Sequence, residues 1–318
     1  MKGDRLRTSL NCGISIPCIG FGTYSNPYDG CVTETAILNA LKVGYRHFDT
    51  AMVYGSEPAV GSALKQAMRE GKVEREETFV TSKLWGCDFH DPVSALKRSL
   101  KMLHMEYIDM YLVHWPLKLK PWVQSAFPKD DEFEAETDME ATWAGMERCM
   151  EIGLCRGIGV SNFSSKKIAE LVEHASVIPA VNQVEMHPMW RQKKLREACA
   201  ESNIHVSAYT SLGGPGNTWG TTAVMEHPTI RTIALRHNVT PAQVALQWGV
   251  TVGASVIVKS FNEKRMEENF AALNFKLEDR DMLEIDTIEE RKVIRAGIYV
   301  GRATGPYKTL EELWDNEI

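Results

Sequence analysis

Eight short runs rich in β-branched and aromatic residues recur along this chain, separated by stretches with helical periodicity, and few folds accept that alternation. The runs are CIGFGT near 20, YRHFDTA near 47, FVTSKLW near 81, IDMYLVHW near 111, RGIGVSN near 159, AVNQVEM near 183, HVSAYTSL near 207 and ASVIVKS near 257. Gly, Pro, Asn or Ser flanks them, as at strand ends. Between them, TETAILNALKVG (33–44) keeps apolar residues at helical spacing and stops at Gly44. DPVSALKRSLKMLHM (91–105) starts on Asp91 as N-cap with Pro92 at N1. SSKKIAELVEHA (164–175), RQKKLREACAESN (191–203) and TPAQVALQWGV (240–250) read as helices in the same way. Strands alternating with helices imply parallel βαβ units, as a doubly wound sheet or a closed (β/α)8 TIM barrel, and the count of eight favours the barrel.

Ahead of the first barrel strand, RLRTSLNCGISIPCIG (5–20) reads as a β-hairpin turning at residues 11–13. One domain is expected over residues 1–318, since an α/β barrel of this size is a single unit. Two connections exceed what a helix needs, 115–138 and 211–224, and the tail 289–318 is also long. Loops that follow barrel strands lie on the C-terminal face, where active sites form. The tail segment GPYKTLEELW is expected to fold over that face.

The net charge of −6 argues against nucleic acid or an anionic membrane as partner. The first residues are charged and carry no apolar h-region, and no run of about 18 apolar residues occurs, so neither signal peptide nor membrane span is expected. Seven scattered cysteines without a CxxC pair fit reduced thiols, and the expected location is cytoplasmic. No metal site is expected.

The strand assignment sets four chemically active side chains at strand ends: Asp49 just past strand two, Tyr54 in the following loop, Lys83 at the end of strand three and His114 at the end of strand four. Taken singly each has a plain reading: a turn cap, surface packing, a solvated strand edge, a satisfied core histidine. Together they do not, because TSKLW puts Lys83 inside an apolar strand, where an unpaired ammonium is costly, and Asp49 is the candidate partner. An ammonium beside a phenol is expected to lower its pKa from about 10. Such a phenol can protonate a developing alkoxide while a histidine hydrogen-bonds the same oxygen. That set suits carbonyl reduction with hydride from a cofactor.

At these residues the chain resembles the aldo-keto reductase superfamily, over about residues 5 to 290. GYRHFDTAMVYGSE, TSKLW and DMYLVHWP match its signature segments in order. The resemblance implies Tyr54 as proton donor, tuned by Lys83 and Asp49, with His114 orienting the carbonyl. It also implies NADPH bound extended across the barrel top, and there is indeed no GxGxxG. VIVKSFNEKRMEENF (256–270) is similar to the family's nucleotide segment. By that likeness Lys259, Ser260, Asn262 and Arg265 surround the adenosine 2′-phosphate, while Glu268 and Asn269 contact adenine. Two cations near a helix start suit a phosphate. Ser161, Asn162 and Gln183 match the groups that bond the nicotinamide amide, and Tyr209 matches the ring that stacks on it. Gly22, Thr23, Thr210 and Leu212 match further cofactor contacts. Val258 stands where many members have proline, and Thr210-Ser211 where many have Ser-Pro.

Tyr24, Trp85 and Trp115 follow strands one, three and four and are expected to wall the carbonyl site together with Tyr54 and His114. Loops 116–138, 211–224 and 297–311 are expected to set specificity. VKSFNEKRMEEN, TWGTTAVM and GPYKTLEELWD resemble the plant group that contains codeinone reductase, chalcone reductase and deoxymugineic acid synthase. This implies a small-molecule carbonyl substrate, a ketone or aldehyde of plant specialised metabolism. A monomer is expected, since nothing demands an oligomer. A redox-sensing subunit and a cofactor-free isomerase or lyase are the competing classes. The complete catalytic set argues against the first, and the Lys259/Arg265 pair against the second.

Overall fold

The computed structural model describes residues 7–301 and 303–318. Eight strands close into a parallel barrel: β3 (Ile19–Gly22), β4 (His47–Asp49), β5 (Phe79–Leu84), β6 (Met110–Val113), β7 (Ile158–Ser161), β8 (Val181–Glu185), β9 (His205–Tyr209) and β10 (Ser255–Val258), with β10 pairing back onto β3. Each corresponds to one of the eight β-rich runs. The helices are α1 (Gly30–Val43), α2 (Glu57–Arg69), α3 (Pro92–Leu103), α4 (Met139–Glu151), α5 (Ser165–His174), α6 (Lys193–Glu201), α7 (Ala223–Glu226), α8 (Pro228–His237), α9 (Pro241–Thr251), α10 (Glu263–Phe270), α11 (Asp279–Asp286) and α12 (Leu310–Trp314). This is the (β/α)8 TIM barrel.

Local chemistry sets the helix ends. Asp91 Oδ1 accepts from Ser94 N at 3.0 Å, with Pro92 opening the helix. Thr240 and Gln243 cap one another reciprocally at the start of α9. The first turn of α1 lies upstream of the expected 33–44, because Asp29 accepts from Val32 N and starts the helix at Gly30. Gly44 ends it at φ +122°, a conformation that favours glycine.

The hairpin, β1 (Arg7–Ser9) and β2 (Ser15–Pro17), is antiparallel, with Thr8 opposite Ile16. Of the expected 5–20 segment, Arg5 and Leu6 lie outside the described residues. Its Leu10 and Ile16 pack on Phe79, Met110 and Val181, the first residues of β5, β6 and β8, and so seal the N-terminal end of the barrel.

The opposite end is covered by loops and the tail. Tyr299 Oη donates to Ala126 O at 3.1 Å and Tyr307 Oη to Pro116 O at 2.6 Å, tying the tail to loop 116–138. Ser164 Oγ donates to Asp315 at 2.5 Å and Ser165 N to Glu317 at 3.0 Å, which fastens the last residues to the start of α5. The expected closure of the C-terminal face by the tail is therefore present. Among the described residues no helix is long and apolar enough to cross a membrane.

Candidate active site

Barrel register brings the strand-end residues together. Gly22 lies opposite Asp49, Ser161 opposite Gln183, and Glu185 opposite Tyr209. Asp49 is the last residue of β4 rather than one beyond it, and His114 is the first residue after β6. All of these except Glu185 line a cavity of about 550 Å³ on the C-terminal face, and Tyr54 joins them there.

At its base Lys83, fully buried, donates to Asp49 Oδ1 at 2.7 Å and to Thr50 O at 2.9 Å. Gln183 Nε2 donates to Asp49 Oδ2 at 2.8 Å. Both carboxylate oxygens are thus engaged, which offsets the cost of burying the charges. Burial pulls the Lys83 ammonium below its ordinary pKa, against the pull of Asp49. Lys83 Nζ lies 4.9 Å from the centroid of the Tyr54 ring.

Tyr54 Oη and His114 Nε2 are 3.3 Å apart. Burial pushes the Tyr54 phenol well above the usual range, and the nearby Asp49 carboxylate adds to the rise. This corrects the expectation that Lys83 acidifies the phenol. The ammonium charge is spent on Asp49 and Thr50, and desolvation of the tyrosinate dominates. His114 is driven well below 6.5 by burial and then by Lys83, so it is neutral at pH 7. Its Nδ1 has no hydrogen-bond partner among the described residues.

Asn162, at φ +64°, is a brace rather than a free amide. Its Nδ2 donates to His114 O at 2.9 Å and to Ser161 Oγ at 3.1 Å, and its Oδ1 accepts from Tyr209 Oη at 2.6 Å. Ser161 Oγ donates to Gln183 O at 2.7 Å. Gln183 lines the cavity, and no hydrogen bond to its amide oxygen occurs among the described residues.

Other predicted residues fall into three places. Gly22, Tyr24, Trp85, Trp115, Thr210 and Leu212 line the cavity. A side chain at Gly22 would stand 3.2 Å from Ile257 Cγ2, so glycine keeps that wall open. Thr23 does not reach the cavity. Its buried hydroxyl donates to Asp49 O at 2.9 Å and lies 2.8 Å from Ser56 Oγ, supporting the Asp49 backbone. The nucleotide-segment residues gather at one end. Lys259 lines the cavity there, and its ammonium is pulled down by burial and then by repulsion from Arg265. Ser260 Oγ bonds Asn262, and Asn262 Oδ1 caps α10 at Arg265 N at 3.0 Å. Neither Lys259 nor Arg265 has an acidic partner among the described residues. Glu268 is half-buried and its main-chain oxygen accepts from Gln243, while Asn269 is buried.

Sequence reading named the three specificity loops but not the aromatic side chains they deliver. Tyr299 packs edge-on against Trp115 with ring centroids 4.7 Å apart and reaches Trp85 at 6.3 Å, and Phe127 and Trp219 line the cavity. The clue was the presence of bulky aromatics in otherwise polar loops. Loop 211–224 is held tightly: a side chain at Gly220 would stand 1.8 Å from Gly214 O.

Fold and site together define a (β/α)8 barrel whose phenol and imidazole meet at one point of a cavity on its C-terminal face. Residues 18–290 match the model of the aldo/keto reductase family. The chain is 46% identical over 309 residues to 7-acetyl-epi-neemfruitin B aldo-keto reductase of Melia azedarach, covering 96% of this chain and 95% of that protein. It is 45% identical over 306 residues to deoxymugineic acid synthase 1-D of Triticum aestivum (95% and 97% covered). It is 43% identical over 314 residues to NADPH-dependent codeinone reductase 1-2 of Papaver somniferum (97% and 97% covered). The chain belongs to the aldo-keto reductase family.

Proposed function

We propose that this protein is an NADPH-dependent reductase that converts a ketone or aldehyde of plant specialised metabolism to an alcohol, with Tyr54 as proton donor. The observation that carries the reading is the Tyr54–His114 pair, 3.3 Å apart in the cavity and backed by the buried Lys83–Asp49 ion pair. The relatives' names, one of them NADPH-dependent, support the substrate class and the cofactor.

The residues present fit a nicotinamide dinucleotide phosphate. Lys259 and Arg265, which repel one another and lack acidic partners among the described residues, suit a 2′-phosphate at the start of α10. Ser260 and Asn262 complete that end, with Glu268 and Asn269 beside the adenine. The amide oxygen of Gln183 would accept from the carboxamide, with Ser161 and Asn162 bracing it, and Tyr209 would stack on the ring. Gly22, Thr210 and Leu212 border the same channel. The cofactor supplies the hydride.

The protein's part is binding and proton placement. With the proton of neutral His114 on Nε2, Tyr54 Oη accepts from it and keeps its own O–H free to point into the cavity. A substrate carbonyl oxygen at that point receives the hydrogen bond of the Tyr54 O–H, which His114 Nε2–H supports from behind, and this favours the oxyanion as it forms. The phenol then passes its proton to the alkoxide oxygen, and the tyrosinate left behind accepts from His114 Nε2–H. A phenol with a raised pKa holds its proton at neutral pH, which favours reduction. Oxidation needs the tyrosinate, so it should accelerate with rising pH. The enzyme is taken to act as a cytoplasmic monomer on free small molecules.

The test is NADPH consumption against a panel of aldehydes and plant-type ketones. No turnover of any member, despite NADPH binding, would leave the sensor reading in its place. Cofactor choice is tested separately by Lys259→Ala. NADPH affinity should fall about tenfold or more, and NADH affinity far less, because a charge-assisted hydrogen bond contributes about 1.5–3 kcal/mol. Equal losses would put the 2′-phosphate elsewhere.

A further inference from the structure

Glu185 lies two residues beyond Gln183 on β8, and its carboxylate is buried away from the reaction centre. Its Oε1 accepts from Val293 N at 2.6 Å and its Oε2 from Ile294 N at 2.8 Å. His187 Nε2 sits 3.0 Å from Oε1, and Gln192 Nε2 donates to the Glu185 main-chain oxygen at 3.0 Å. A carboxylate on an interior strand of the barrel therefore grips two consecutive amides of the tail, more than 100 residues away in the chain.

The gripped segment is a wall of the cavity. Val293, Ile294, Arg295 and Tyr299 all line it, and Tyr299 packs on Trp115 and Trp85, away from the Lys259 end. The segment is held from its other side too. Trp314 Nε1 donates to Arg295 O at 3.0 Å, and the Lys292 ammonium sits 3.4 Å from the Trp314 ring centroid and 5.0 Å from that of Trp190.

We propose that Glu185 is a positioning residue for substrate: its carboxylate sets the height of the 293–299 strap, and so the width of the carbonyl-binding half of the cavity. A carboxylate suits the place, because it can accept on both oxygens, and one backbone N–H group points at each. Glutamine there turns an NH2 toward a buried N–H and leaves one strap amide unpaired. The strap then loosens at 293 and 294 while the barrel strands keep their own ladders. The functional consequence rests on the reductase reading above; the structural one does not.

The experiment compares Glu185→Gln with the unaltered chain by amide hydrogen–deuterium exchange, NADPH titration and steady-state kinetics on the bulkiest carbonyl compound turned over. Exchange in peptides covering 293–296 should speed up about tenfold or more, with barrel-strand peptides unchanged. KM for the carbonyl substrate should rise about tenfold, while kcat stays within about threefold and NADPH affinity within about twofold, since the lost contact shapes substrate binding alone. Unchanged exchange at 293–296 overturns the strap contact. A fall in NADPH affinity matching the KM rise also overturns the proposal, because Glu185 would then act through its strand neighbour Tyr209. If the unaltered chain turns over no carbonyl, the reductase reading fails while the exchange result still decides the strap. Should Glu185→Gln not fold, Trp314→Phe carries the same test. It deletes the bond to Arg295 O and keeps an aromatic ring against Trp115, and the same shifts in exchange and KM are expected at smaller size.

Discussion

Both ends of this barrel bury polar groups, but only one of them faces the cavity. At the sealed end, His47 Nε2 lies 3.0 Å from Thr81 Oγ1 and His205 Nε2 lies 3.0 Å from Ser255 Oγ. Ser255 Oγ in turn donates to Ser207 Oγ at 2.9 Å. Below them Leu10 and Ile16 of the hairpin keep water out. These groups pair across neighbouring strands, with His47 Nδ1 left without a partner among the described residues, and the Arg75–Asp109 ion pair lies at the same end. At the open end an ion pair is buried, and Tyr54, His114 and Gln183 line the cavity. The sealed end is organised for the fold, the open end for a visitor.

Substitutions at each end should separate these roles. Tyr54→Phe should cut carbonyl reduction by about 10²–10⁴-fold, the range for a positioned general acid, and leave NADPH affinity unchanged. Unaltered turnover would remove Tyr54 from the mechanism and blur the contrast between the ends. At the other end, Ile16→Ala should destabilise the protein by about 2–4 kcal/mol, as a buried isoleucine does, without changing activity per folded molecule. Denaturant midpoints and kinetics on the same sample check both halves, and a loss of kcat in that variant would mean the floor communicates with the site.

A further effect appears in acid. Burial lowers His47 to about 3 and His205 to about 4, and holds His114 well below 6.5, with Lys83 adding to the first and last of these shifts. Each is neutral in the fold and takes up a proton when the chain unfolds. Between 6.5 and the folded value the unfolded state holds more protons, so stability falls as pH falls through that window. The slope is about 1.4 kcal/mol per histidine per pH unit. Urea midpoints at pH 6.5, 5.5 and 4.5 measure it, and a flat profile would mean that these rings are already solvated. Since two of the three lie at the sealed end, His205→Gln should flatten the curve while leaving turnover at neutral pH alone.

Much of the fold is readable one segment at a time. Period-2 and helical spacing, Asp91-Pro92 and Thr240-Pro241 at helix starts, and Gly44 at a helix end are local signals, and the backbone obeys them because they act over a few residues. The strand-end positions of Asp49, Tyr54, Lys83 and His114 followed from the same local logic once eight strands were counted. The Lys83–Asp49 pair was legible because a lysine within an apolar strand demands a counter-charge. The direction of the Tyr54 shift was not legible, because it depends on how much water the assembled walls exclude. Asn162 as a brace and Glu185 as the anchor of the tail were equally hidden, since their partners lie 47 or more residues away in all four of these contacts. Sequence by itself determined which elements form and which side chains stand at the mouth of the barrel. Only the tertiary structure decided which of those side chains are spent on one another and which remain free, because burial and hydrogen-bond geometry belong to the closed barrel and not to any stretch of its chain.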